Sequence, residues 1–361
     1  MKQFQLLVVT LCALGLACGE SSDTENSTEP QAGAMGQGGA AGGGTTPAVE
    51  STTLSLSIAS RATDGEMGRL AGANIFIEPF SSPEAANPQP HVYFTREPDG
   101  VADADGNVTL PVIAGERHVV HIVSEGYGSL MRLIEPNEQD QLFFVLTLQE
   151  LHRTSINLPE EGDVQLTLGD TMGGRDALVT LTIEAGDLAY NTESSSSALR
   201  LKQAGDDAAV AGEIDVLFQA WDPFTDDGSS MPSDLATDEG PIASYGMFSI
   251  EFFKDGVPVN VAEGKTVSWD MTLNEAFASQ AKVAAEEDHL NVYSMDGGAG
   301  LWVEDDVAKS YDAETRTFSA ESTHFSHKNC DDPGPYNCNG CVEVSVQNEC
   351  GDAITQNINV Q

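Results

Sequence analysis

From about residue 52 onward, apolar side chains fall on every second position. Leu54, Leu56 and Ile58 alternate with Ser55 and Ser57; Ala73, Ile75 and Ile77 repeat the pattern after a polar turn; Val108, Leu110 and Val112 follow Asp105 and Gly106. A period of two sends successive side chains to opposite faces, so each run predicts a strand with one buried face. Residues 117–123 and 142–148 are short, β-branched or aromatic, and bounded by Gly, Pro and Asn, which predicts an antiparallel sandwich over residues 52–152. The alternation resumes at Val164, Leu166 and Leu168, at Val179, Leu181 and Ile183, at Ile214, Val216 and Phe218, and at Phe248, Ile250 and Phe252. Val257, Val259 and Val261, then Val267, Trp269, Met271 and Leu273, extend it and predict a second sandwich over 153–329. One stretch breaks the rule. Residues 274–288, rich in Ala, Glu and Lys around Phe277 and Val283, predict a short helix or ordered loop. The expected fold class is all-β, with two antiparallel β-sandwich domains in series.

The two ends lack this pattern. After Lys2 an apolar run from Leu6 to Leu16 is too short to span a bilayer and closes on small residues, the arrangement of a signal peptide over residues 1–17. Gly15, Leu16, Ala17 and Cys18 resemble a bacterial lipobox, which implies that Cys18 carries a lipid anchor once the leader is removed. Gly19 behind that cysteine then implies an outer-membrane or cell-surface destination. Residues 18–51 hold Ser, Thr, Asp and Glu followed by Gly36 through Gly44; with almost nothing to bury, they are expected to form a flexible tether. At the other end, residues 330–361 combine Cys330, Cys338, Cys341 and Cys350 with alternating Val342, Val344 and Val346. This reads as a cysteine-rich hairpin resembling the start of another domain of the first type. In an exported chain the four cysteines are expected to form disulfides, in any of three connectivities. A Cys₄ zinc site is the alternative that their central C-x-x-C allows.

Charge narrows the partners. The chain has 361 residues, with 16 Lys plus Arg against 57 Asp plus Glu and a net charge of −41. So few basic groups cannot neutralise a run of phosphates, which makes nucleic acid and anionic lipid surfaces poor candidates for direct partners, and no nucleic acid is expected. The lipid anchor is then the one expected contact with a membrane. Acidity also suggests one cofactor. Asp222, Asp226, Asp227, Asp234, Asp238 and Glu239 gather in a connection rich in Gly, Ser and Pro, and hard oxygen ligands at irregular spacing suit Ca²⁺. In so acidic a chain, solvated surface is the commoner meaning of such a cluster. Asp99, Asp103 and Asp105 precede Gly106 with Val112 where an EF-hand needs glutamate, so they read as turn residues. His118 and His121 lie three apart on one strand and point to opposite faces. No Gly-x-Ser-x-Gly elbow, His-Glu-x-x-His helix or P-loop occurs, and a non-enzymatic role is expected.

Longer motifs add detail. Gly72-Ala-Asn-Ile-Phe-Ile77, Ala104-Asp-Gly-Asn-Val-Thr-Leu-Pro111 and Ile113-Ala-Gly-Glu-Arg-His118 together resemble the carboxypeptidase regulatory-like family. That resemblance implies a transthyretin-like sandwich, an accessory module without the peptidase's zinc ligands. Further on, Leu290-Asn-Val-Tyr-Ser294, Gly300-Leu-Trp-Val-Glu-Asp-Asp306 and Thr323-His-Phe-Ser-His-Lys-Asn-Cys-Asp331 occur in order. They resemble the sandwich of cartilage intermediate layer protein and of many bacterial surface lipoproteins, which implies an extracellular architecture and no assigned reaction. His324-Phe325-Ser326 also resembles the cleavage site of autoproteolytic sandwiches such as the GAIN domains of adhesion receptors. Transposed here, that resemblance implies Ser326 as nucleophile on the Phe325 carbonyl and His324 as its base. The plainer reading is a strand that packs Phe325 inward. The sequence therefore predicts an exported surface lipoprotein that displays β-sandwiches for adhesion, recognition or scaffolding toward an unknown protein or glycan ligand. A chain that cleaves itself between Phe325 and Ser326, and a calcium-tuned binder, are the alternatives.

Overall fold

The computed structural model describes residues 51–63, 65–82, 96–137, 141–170, 175–190, 210–223, 230–325 and 327–333. The expected leader, the tether up to residue 50 and residues 334–361 of the expected cysteine-rich hairpin lie outside them, as do Asp226, Asp227 and Ser326. The described residues are almost entirely β-structure, as the alternation predicts.

Eight strands come first among the described residues: β1 (Ser51–Arg61), β2 (Met67–Arg69), β3 (Asn74–Pro79), β4 (Gly100–Val101), β5 (Asn107–Ile113), β6 (His118–Val123), β7 (Leu130–Ile134) and β8 (Gln141–Gln149). One sheet is ordered β2-β1-β5, with β8 also on β1; the other is β4-β3-β6-β7. Register follows the sequence period: Leu54 pairs with Leu110 and Leu56 with Val108, so their side chains share the inner face and meet Ile75, Val120 and Ile122 of the opposite sheet. The pairing of β1 with β8 is parallel. At the turn into β5, Gly106 has φ +76° and a Cβ there would lie 2.3 Å from the Ile58 carbonyl oxygen, so only glycine fits.

The rest begins with β9 (His152–Leu158), β10 (Asp163–Asp170), β11 (Arg175–Glu184), β12 (Leu188–Tyr190), β13 (Gly212–Trp221), β14 (Ala243–Lys254), β15 (Val257–Val261) and β16 (Val267–Thr272). A 3₁₀ turn at Glu275–Phe277 leads into helix α1 (Ala278–Glu286), and β17 (Asn291–Asp296), β18 (Leu301–Glu304), β19 (Lys309–Asp312), β20 (Thr317–Ser322) and β21 (His327–Asp332) follow. Asn274 starts the helical stretch by accepting the Ala276 N–H at 2.9 Å. A five-stranded sheet, β10-β11-β16-β20-β19, faces an eight-stranded sheet, β12-β15-β14-β21-β17-β18 with β13 on β14 and β9 on β13. Between them Trp269 packs edge-on to Phe248, with centroids 5.0 Å apart, among Phe218, Phe252 and Phe318. Within the described residues no helix is long and apolar enough to cross a membrane.

The back of the eight-stranded sheet is also covered. Trp221, Met247, Met295 and Trp302 pack against Val119 and Met131 of β6 and β7, so β6 is buried on both faces. Polar groups tie this junction. The Met131 N–H donates to the Pro232 carbonyl at 2.7 Å, and the buried Arg132 donates to the Met231 carbonyl at 3.1 Å and lies 3.7 Å from Asp234. Gln219 donates to Gln149 at 2.9 Å. Three elements differ from the sequence expectation. Strand β7, Leu-Met-Arg-Leu-Ile, shows no period of two because its two faces serve two cores. Strand β20 hides behind a polar sequence, its inward Phe318 and Ala320 flanked by Thr and Ser. Strand β21 runs through Cys330 to Asp332, so it crosses the boundary expected at residue 329.

Candidate functional site

The C-terminal motifs converge on three neighbouring strands. Trp302 and Glu304 lie on β18, Asn291 to Ser294 on β17, and His327 to Asp331 on β21, in the order β21-β17-β18. The run His-Lys-Asn-Cys-Asp would be placed on the surface by its polarity. Yet Lys328, Asn329, Cys330 and Asp331 have no exposed area, because β21 is paired on both sides by β14 and β17. Burying such groups is costly unless each finds a partner.

On the sandwich-core face, Lys328 donates to Asp305 at 2.7 Å and to Ser294 at 2.5 Å, and Ser294 donates to the same Asp305 oxygen at 2.5 Å. Burial pushes the Asp305 carboxyl up, but the Lys328 ammonium, with His324 and these hydrogen bonds, outweighs it and holds the group below its usual range. Lys328 also reaches the His324 Nε2 at 3.4 Å, and Thr323 lies 3.4 Å from its Nδ1. Phe325 is buried edge-on against Phe252, with centroids 5.3 Å apart. Its backbone is held by one side chain: Asn260 accepts the Phe325 N–H at 2.8 Å and donates to the Phe325 carbonyl at 3.3 Å. Cys330 joins the same core as a free thiol, pushed well up by burial. Alternation along β21 turns the Cys330 side chain, expected in a disulfide, into the sandwich core. Cys338, Cys341 and Cys350, like Cys18, lie outside the described residues.

A second group sits where β17 begins. Asn291 is directly opposite Asp331 in the β17–β21 register. Its Oδ1 accepts from the Lys309 ammonium of β19, which lies 3.9 Å from Glu304. Asn329 donates to Asp331 Oδ2 and accepts from Ser244 at 2.6 Å, while Asp331 Oδ1 is buried without a hydrogen-bond partner. Burial, then the neighbouring Asp332, push the Asp331 carboxyl well up, toward its protonated form.

The other sequence candidates are dispersed. Asp222 is buried and accepts from Asn274 at 2.6 Å; Asp234 faces Arg132; Asp238 and Glu239 lie in a turn where Thr237 accepts the Glu239 N–H. Among the described residues no three His, Cys, Asp or Glu side chains gather to hold a metal. Asp103 caps its turn by accepting the N–H groups of Asp105 and Asn107, and Asp99 pairs with Arg96 at 2.8 Å. His118 and His121 do sit on opposite faces: His118 lies 3.2 Å from the Ile113 carbonyl, and burial, with Arg96 nearby, lowers His121 to about 4. Sequence reasoning missed Asn260, Ser294, Asp305, Lys309 and Lys328. One signal was present: in a chain with 16 basic residues, a lysine inside a strand-length motif is unusual.

No family model matches the chain and no curated protein matches it. Among solved structures, it is similar to a streptococcal ancillary pilin at 15% identity and a TM-score of 0.20, over 48% of this chain and 54% of that one. BcpA, the major pilin subunit of Bacillus cereus, matches at 7% identity and a TM-score of 0.19, over 78% of this chain and 58% of that one. The chain thus spans between half and two thirds of each.

Proposed function

We propose that the protein is an exported, lipid-anchored surface protein whose two sandwiches act as one stiff, non-catalytic module for adhesion, recognition or scaffolding. The observation that carries this reading is the buried junction of Trp221, Met247 and Trp302 with Val119 and Met131, cross-tied at Arg132 and Gln219. A module that holds its loops in fixed geometry avoids part of the ordering cost of binding. The tether and Cys18 would supply reach and attachment, and contacts to a protein or glycan ligand would fall to loops and free sheet edges. The test is expression of the full chain in a Gram-negative host with fractionation and protease treatment of intact cells. The protein is expected in the membrane fraction and sensitive to external protease, and Cys18→Ala is expected to release it in soluble form. An uncleaved chain retained in the cytoplasm would refute the proposal.

A second reading, self-cleavage between Phe325 and Ser326, draws support from one contact. The Asn260 amide donates to the Phe325 carbonyl, where it would stabilise an oxyanion formed by attack of Ser326. Intact mass under reducing, denaturing conditions decides it: two fragments meeting at this bond, absent from Ser326→Ala, are required, and one full-length species removes the reading.

A further inference from the structure

Lys309, Asn291 and Asp331 bring an amine, a carboxamide and a buried acid to one place, and they come from both sheets of the second sandwich. Lys309 belongs to β19, the edge of the five-stranded sheet, and Asn291 to β17 of the eight-stranded sheet. Their side chains are in direct contact, Lys309 Nζ donating to Asn291 Oδ1. Asp331 stands across the ladder from Asn291, which puts the two side chains on the same face with Cβ atoms about 4.5–5.5 Å apart. Asn329 occupies one Asp331 oxygen and leaves the other, Oδ1, buried and unpaired. An unpaired buried acid oxygen beside a carboxamide costs stability, and its retention calls for an explanation. Glu304, half-exposed and 3.9 Å from Lys309 Nζ, offers a proton acceptor with an outlet to solvent.

We propose that Lys309 and Asn291 condense into an intramolecular amide that staples the two sheets, with Asp331 as the acid. The Lys309 ammonium passes one proton to Glu304. The amine's lone pair then forms a bond to Asn291 Cγ while Asp331 donates its hydrogen to the carboxamide oxygen. On collapse of the tetrahedral adduct, the bond from Cγ to the original amide nitrogen breaks. That nitrogen leaves as ammonia after taking a proton from the attacking amine, while Asp331 recovers its hydrogen from the oxygen. No oxidant or further reactant is consumed: ammonium plus carboxamide become a secondary amide, ammonia and one proton. Asn291 is buried and Lys309 23% exposed, and their direct contact supplies the orientation that the reaction lacks in water. The link closes a short loop, β17 to β19, and ties down an edge strand, and it stands whether or not the display reading does.

The experiment is the reduced, denatured intact mass of the full chain, followed by tandem mass spectrometry. The expected result is a mass lower than the sequence by one ammonia, with a branched peptide joining Lys309 to Asn291. Lys309→Arg, Asn291→Ala and Asp331→Asn are each expected to restore full mass, Asp331→Asn with an unchanged circular dichroism spectrum. By analogy with a short disulfide loop, the linked chain is expected to melt about 6–12 °C above the Lys309→Arg variant. A wild-type chain of full mass, with Lys309 open to amine reagents after denaturation, overturns the proposal even if no variant folds. Ammonia loss confined to Asn291 marks a succinimide and overturns it as well. Normal linkage in Asp331→Asn overturns the role of the acid.

Discussion

Replacing Asp305 by alanine tests whether the polar knot under β17 behaves as a buried ion pair. Lys328 has no exposed side-chain area and Asp305 has 9%, so truncation leaves an ammonium that water cannot reach and deprives Ser294 of its acceptor as well. Removing one partner of such a pair costs about 3–5 kcal/mol, whereas an exposed pair costs about 0–1 kcal/mol, so the two cases separate cleanly. The larger figure corresponds to a melting point lower by about 6–20 °C in a chain of this size. Urea unfolding followed by the fluorescence of buried Trp221, Trp269 and Trp302 measures the loss. The double variant Asp305→Ala with Lys328→Met is expected to recover most of it, since an apolar side chain of similar length needs no counterion. A loss under about 1 kcal/mol for the single variant, or a double variant no better than the single, would refute the argument.

Other measurements address separate parts of the molecule. His121 titrates near 4 when folded and near 6.5 when unfolded, so the unfolded chain binds more protons between those values and stability falls as pH drops through that window, by about 3 kcal/mol in full; His121→Gln is expected to flatten that part of the stability profile. Gly106 and Gly115 both have φ +76°, yet an added Cβ meets a backbone oxygen at Gly106 and nothing within 4 Å at Gly115. Alanine at either is expected to cost about 1–2 kcal/mol for the backbone, with about 1–3 kcal/mol more at Gly106 alone, read from denaturant midpoints. Cys330 is expected to resist thiol reagents in the native protein and to react on unfolding, as followed by mass; rapid native labelling would contradict its place in the core.

Much of this architecture could be read from period-two alternation, because strands with one wet face display their burial in sequence. Leu54, Leu56 and Ile58 announce β1, and the same holds for β5, β10 and β16. The reading fails where a strand has two dry faces. In β7, Leu130 and Ile134 serve one core and Met131 the junction, with Arg132 buried beside it, so no alternation survives. The candidate site was harder to see for the opposite reason. Phe325 and the residues of β21 were legible as a motif, but their burial depends on partners far along the chain, Asn260 for Phe325 and Ser294 and Asp305 for Lys328, and hydropathy scores a satisfied buried lysine as if it were exposed. The burial of Cys330 was equally hidden, because cysteine spacing carries no information about which face of a strand each thiol occupies.

The parallel pairing of β1 with β8 also sets a schedule for the chain. Strand β1 pairs first with β2 and β5, but its other neighbour comes late, Thr53 meeting Gln141 and Arg61 meeting Gln149 on β8, so the first sheet is incomplete until almost all of the first sandwich has been delivered. Such high contact order makes closure slow relative to the local hairpins β6–β7 and β10–β11. One edge of β1 therefore stays open until residue 149 is in place, so the strand that begins the sheet is also the strand on which the sheet is finished.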